Sequence, residues 1–265
     1  METLMTKKDE KREFYKNLWT LTLPIALQNL MSAAVSASDA IMLGALDQSS
    51  LSAVSLATQV QFVLSLFMTA FTIGETILAA QYWGKEDASS VEQVLAIAMR
   101  GSIMVSVVFF LAANVCPEVL MRIFTDEQEL IKPGILYLRT VSWSYLFSGI
   151  SQIYLCVMKN SGRTLKSTIY GSVAVVLNLI LNAIFIFGLF GCPRMEIGGA
   201  ALATVIARGV ELLLVICENC RKDRVRIRLR YLLHPYRSLQ KDFAGYTAPV
   251  LANELIWGCG FTMFP

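Results

Sequence analysis

Six times along this chain a mostly apolar run recurs at the length, about 20 residues, that a helix needs to cross roughly 30 Å of hydrocarbon. The runs cover residues 19–46, 51–83, 91–116, 135–158, 165–190 and 197–217, and a seventh opens near Phe243. With 55% of the 265 residues hydrophobic and 16% charged, the chain is too apolar for an ordinary soluble domain. The runs are long and apolar on most faces, whereas barrel strands would alternate in short segments. The fold class predicted is therefore all-α: a polytopic transmembrane helix bundle. The first run follows a polar segment, METLMTKKDEKREFYKN, and exceeds the core of a secretory signal, so it reads as a retained helix.

Orientation follows from the loops, because cytoplasmic loops hold an excess of Lys and Arg. Lys7, Lys8, Lys11, Arg12 and Lys16 precede the first run, Lys85 lies in the second loop, and Lys159, Arg163 and Lys166 lie in the fourth. The sixth, CRKDRVRIRLRYLLHPYRSLQKD, adds eight more. The odd-numbered loops are poor in positive charge: LDQSS has none, the third has Arg122 and Lys132, and the fifth has Arg194. The expectation is a multi-pass protein of the cell (cytoplasmic or inner) membrane with its N terminus in the cytoplasm. The basic sixth loop reads as a topology signal with some attraction to anionic lipid. Nothing around it resembles a recognition fold, so no nucleic-acid partner is expected.

Catalytic signatures are missing. There is no Gly-rich phosphate cradle, no G-x-S-x-G elbow and no H-E-x-x-H pair. Cys217 and Cys220 form the single C-x-x-C pair, without a second pair or a nearby His, which argues against zinc. His234 reads as a solvated loop residue. No Ser or His partner and no second helix-borne Asp accompany Asp39, so the chain is not expected to be an enzyme, and no cofactor is expected.

Ionisable groups inside spans are costly and are functional candidates by default, which singles out Asp39, Glu75, Glu211 and Glu254. In the first span Gln28, Ser32, Ser36 and Asp39 are spaced 4, 4 and 3, one stripe of a helix. In the fifth, Gly171, Ala174, Asn178 and Asn182 share a stripe of small and amide side chains, and the sixth adds Thr204. Counted at about 1.5 Å per residue, Asp39, Asn182 and Thr204 all lie roughly 10 to 12 Å below the outer surface, with Asn178 one turn deeper. A carboxylate, two amide carbonyls and a hydroxyl are the hard oxygen donors that an alkali cation or an exchanging proton would use. The alternative for Asn178, Asn182 and Thr204 is hydrogen bonding between helices. Glu75 lies in the inner half of the second span, away from Asp39, facing a watery cavity or a nearby cation. Arg208 and Glu211 are three apart, the separation at which opposite charges meet.

At this point the chain resembles the multidrug and toxic compound extrusion (MATE) transporters, in particular their bacterial DinF-like branch. The resemblance rests on LTLPIALQNLMSAAVSASDAIMLG, AAQYWGKED, NSGRTLKS, NLILNAIFIFG and IGGAALATVIAR, in that order. It implies two six-helix lobes that rock to expose a central cavity to each side in turn, exporting organic, often cationic, compounds against an inward flow of H+ or Na+. It also implies a cation site at Asp39, Asn178, Asn182 and Thr204, where Asn182 stands at a position that relatives fill with a second acid. Gln28, Ser36, Glu75 and Glu254 are candidates for cavity or coupling roles, Glu254 resembling an acid that opens the second lobe.

On this resemblance residues 1–18 form a cytoplasmic segment, 19–220 a six-helix N-terminal lobe, 221–242 a basic cytoplasmic loop and 243–265 the truncated first helix of the second lobe. Members usually have about twelve helices, so the chain is expected to be a truncated product or to need a separate C-terminal lobe. The expected partners are a small organic substrate and the lipid bilayer. A lipid-linked flippase of the same superfamily, and a non-transporting membrane fragment or scaffold, are the competing functions.

Overall fold

The computed structural model describes residues 7–44, 48–221, 225–233 and 236–262. The described residues form an all-α bundle: α1 (Lys7–Gly44), α2 (Gln48–Trp83), α3 (Ala88–Val115), α4 (Pro117–Arg122), α5 (Gln128–Asn160), α6 (Thr164–Phe187), α7 (Glu196–Asn219), α8 (Leu229–Leu233) and α9 (Arg237–Thr262). A 3-10 turn, Leu189–Gly191, follows α6. Six of these helices, α1, α2, α3, α5, α6 and α7, are long and apolar enough to cross a membrane. They match the six runs read from the sequence. The helices overrun the apolar runs where polar flanks still form backbone hydrogen bonds, most clearly at α1, which begins in KKDEK. His234 lies outside the described residues, as do the last three residues of the segment expected at 243–265.

α5 is at the centre, packed against α2, α3 and α7. It combines the lowest mean hydropathy of the spans, 1.2, with a larger buried fraction than any other. Those facts have one cause: a helix surrounded by protein can carry hydroxyls provided that they find partners inside the bundle. Ser102 of α3 donates to the Gly149 carbonyl at 2.5 Å, Asn114 donates to Ser142 at 3.0 Å, and Ser167 of α6 donates to the Leu155 carbonyl at 2.8 Å. α6 shows the opposite case, a helix with two unlike faces. Leu165, Ile169, Val173, Val176 and Ile180 are exposed, spaced to form the stripe that would meet lipid. Ser167, Gly171, Ala174 and Asn182, on the other stripe, are buried.

Close approach of α6 and α7 depends on Gly199. A Cβ there would sit 2.8 Å from the Phe185 carbonyl carbon and oxygen, which are backbone and cannot swing aside. Gly188 ends α6 in the left-handed region at φ 72°, a conformation that a residue without Cβ adopts at no steric cost. α3 starts under a cap: Asp87 accepts from the Ser90 N–H at 3.1 Å and from the Ser90 hydroxyl at 2.5 Å. These bonds hold the Asp87 carboxyl below its ordinary value of 3.8.

Residues 225–228 of the basic sixth loop are docked on the bundle. Glu92 of α3 pairs with Arg228 at 2.5 Å and accepts from the Arg226 N–H at 3.2 Å. Asn219 accepts from the Ile227 N–H at 2.7 Å, and Tyr154 donates to the Val225 carbonyl at 3.1 Å. α9 then runs beside α2, with Phe243 stacked on Phe71 at 6.4 Å between centroids.

Two outcomes follow for thermal unfolding in detergent, read by tryptophan fluorescence. Gly199→Val should cost about 1–3 kcal/mol or more through overpacking, whereas Gly198→Ala, which meets nothing within 4 Å, should leave the midpoint nearly unchanged. Asp87→Ala should lower the midpoint at neutral pH. Because the folded-state value of Asp87 is depressed, its contribution is present above 3.8 and disappears as pH falls through the lowered value, so parent and variant should converge in acid.

Candidate functional site

α1, α6 and α7 carry three short polar stripes, and their packing brings the stripes to a common cavity of about 390 Å³. α1 packs along α6, and α6 along α7, so the inner faces of all three converge. Asp39, Ser36, Asn178, Asn182 and Thr204 line the cavity. The Asn182 amide donates to Asp39 Oδ1 at 2.7 Å and reaches Asn178 Oδ1 at 3.4 Å. Asn178 in turn donates to the Thr204 hydroxyl at 3.2 Å, which donates to the Ala200 carbonyl at 3.0 Å.

One acceptor is left over. Asn182 Oδ1 is buried without a hydrogen-bond partner, although such groups are ordinarily satisfied and leaving one unmet costs about 1–3 kcal/mol. The donor set therefore fits a small cation or a proton: a carboxylate, a hydroxyl and amide oxygens converge, one of them unsatisfied. Among the described residues no cluster of three or more His, Cys, Asp and Glu side chains could hold a metal ion. Any ion at this site would be bound by neutral oxygens around a single acid.

α2 and α5 contribute groups that sequence reasoning missed. Ser55, Thr58 and Gln61 of α2, spaced three apart, and Tyr137 of α5 line the same cavity. Their i, i+3 spacing was the available signal; it was obscured because hydroxyl residues in spans commonly bond their own helix, as Thr58 does to the Ser55 carbonyl at 2.8 Å.

The other candidates lie elsewhere. Gln28 lines a second cavity of about 380 Å³, towards the end where α2, α5 and α7 finish. A Cβ on Gly171 would collide with its amide nitrogen, so glycine there makes room for Gln28. Glu75 is fully buried beside the Cys156 thiol, with no cation paired to it among the described residues. It lines neither of these cavities. Glu254 is half-buried on α9 and likewise lines neither. Arg208 and Glu211 form the pair that their spacing suggests, at 2.8 Å, and Ser151 donates to the same Glu211 oxygen at 3.3 Å. Glu218, unnoticed in the sequence, is fully buried and gathers Arg163, Tyr170 at 2.9 Å and Arg221 at 3.6 Å.

Residues 24–184, more than half of the chain, match the MatE family. The chain belongs to that family. It is 26% identical over 258 residues to the probable multidrug resistance protein NorM of Thermotoga maritima, covering 97% of this chain and 55% of that protein. Among solved structures it is similar to an outward-facing conformation of a multidrug resistance MATE family transporter of the MOP superfamily, with TM-score 0.81 at 20% identity over 91% of this chain and 52% of that one. An inward-facing conformation of such a transporter matches with TM-score 0.76 at 20% identity, over 86% and 51%. The chain spans about half the length of the relatives it matches. This MatE chain is thus a multi-pass integral membrane protein with the fold of about half of a MATE transporter.

The Asp39–Asn182 contact is testable by a double-mutant cycle. Asn182→Leu should destabilise the fold by about 1–3 kcal/mol, since Asp39 loses its donor. Asp39→Asn combined with Asn182→Leu should recover part of that loss, giving a coupling of about 0.5–3 kcal/mol in thermal or denaturant unfolding.

Proposed function

We propose that this lobe is the cation-handling half of an antiporter that exports organic, often cationic, compounds by alternating access, driven by H+ or Na+. The observation that carries the reading is the cavity in which Asp39 meets Asn182, with the Asn182 carbonyl oxygen left unsatisfied. With its nitrogen against Asp39, the Asn182 amide neutralises part of the carboxylate's demand for donors. Turned over, the amide would set an oxygen against the carboxylate, an arrangement that holds only with a proton or cation between them. The two states differ in their affinity for the ion, and such a difference is what lets ion binding bias a conformational equilibrium.

The cation ligands on this reading are Asp39, Asn178, Asn182 and Thr204, with Ser36 on the cavity wall. The single acid bears on ion choice, because a proton or one monovalent cation matches one negative charge. Support for alternating access comes from the relatives, whose solved forms include an outward-facing and an inward-facing conformation. The whole cycle needs a second lobe against which this one moves, so the partner on this reading is a C-terminal lobe. The N terminus is cytoplasmic and the docked basic loop lies on the inner face, in keeping with the excess of Lys and Arg there. The segments at 1–18, 19–220, 221–242 and 243–265 then serve as inner segment, lobe, inner connection and first helix of the second lobe.

Cells expressing the reading frame that contains this chain should show ethidium efflux that collapses when the proton and sodium gradients are dissipated. Asp39→Asn should abolish gradient-driven efflux while the variant still reaches the membrane in normal amount. Efflux at the parent rate would overturn the assignment.

A further inference from the structure

The second cavity differs in chemistry from the first. Its charged lining consists of Lys159, Arg208 and Glu211. Arg208 and Glu211 are committed to each other at 2.8 Å. The two threonine hydroxyls are committed as well: Thr72 donates to the Thr69 carbonyl at 2.9 Å, and Thr76 to the Thr72 carbonyl at 2.7 Å. What remains is the Lys159 ammonium, the Ser32 hydroxyl and the side-chain amides of Gln28 and Gln152, which have no hydrogen-bond or ion-pair partner among the described residues. A half-buried lysine, two free amides and a volume of about 380 Å³ face one another across α1 and α5, and the volume falls in the range of small-molecule sites.

We propose that this cavity is a binding site for an organic carboxylate, whose anionic group sits on Lys159 and whose remaining polar atoms are met by Gln28 and Gln152. Three ammonium donors suit a carboxylate, and a charge-assisted hydrogen bond is stronger than one between neutral groups. One free positive charge matches one carboxylate. It does not match a diphosphate, which would need several cations, and a purely cationic guest would be repelled by the one charge there that has no partner. The site deepens the transporter reading by assigning a substrate class to this half of the lobe, and it rests on that reading only for its purpose, since binding itself needs no gradient.

The test uses the whole 265-residue chain in lipid nanodiscs, with empty nanodiscs subtracted, and calorimetric titration of 2-naphthoate and its uncharged counterpart 2-naphthamide. The parent should bind the carboxylate about tenfold or more tighter than the amide. Lys159→Gln should erase that preference by weakening naphthoate alone, and Lys159→Arg should retain it to within about threefold. The two variants separate loss of the charge from loss of the fold, because a misfolded lobe would lose naphthamide binding as well. The proposal is overturned if the parent shows no naphthoate binding, if it binds both probes equally, if Lys159→Gln binds naphthoate as the parent does, or if Lys159→Arg loses the preference. Failure of the Asp39→Asn efflux experiment would leave this result untouched, and the reverse also holds.

Discussion

In hydrocarbon a polar group has no water to fall back on, so it must find its partner within the protein, and this one constraint organises the whole lobe. The Asn182 amide lying 2.7 Å from Asp39 is its sharpest instance. To make that contact α6 must turn its amide stripe towards α1 and leave its branched aliphatic stripe outside, which fixes its rotation. α7 must then approach α6 closely enough for Thr204 to reach Asn178, and Gly199 permits that approach. The packing of three helices is thereby tied to the seating of a single carboxylate.

Three of the buried glutamates meet the same constraint in different ways. Glu211 is held by Arg208 and Ser151, both within the bundle. Glu218 is met near the helix ends by Arg163, Tyr170 and Arg221, where long cationic side chains reach inwards from the polar boundary. Glu75 has no partner of ordinary geometry among the described residues. An unpartnered acid at full burial is expensive in any estimate of membrane energetics.

Much of the architecture was legible in the sequence because span length and apolar content are set by the thickness of the bilayer, a constraint independent of tertiary contacts. The convergence of Asp39, Asn178, Asn182 and Thr204 was legible for a related reason: depth along straight helices can be counted at a constant rise. Rotation of neighbouring helices cannot be counted that way. The α2 wall of the first cavity was therefore missed, and Gln28, on the same stripe as Asp39 but about three turns from it, proved to face a different chamber. Lys159 shows a further limit. As a residue at a helix end it served in the sequence only as a marker of orientation, and only the fold shows that its side chain is directed into a cavity. Glu92 and Asn219 likewise became informative only once the basic loop was seen resting on them.

Arg208 borders both chambers and is fixed between them by Glu211. Its guanidinium stands at a party wall, so neutralising it would make the electric potential more negative at Asp39 and at Lys159 together, with opposite consequences for an anion and for a cation. Phenotypes at this position would therefore be composites, and combinations with changes at either acidic or basic neighbour should depart from simple addition. A lone alanine scan of the lobe would rank Arg208 high without saying which compartment had been disturbed.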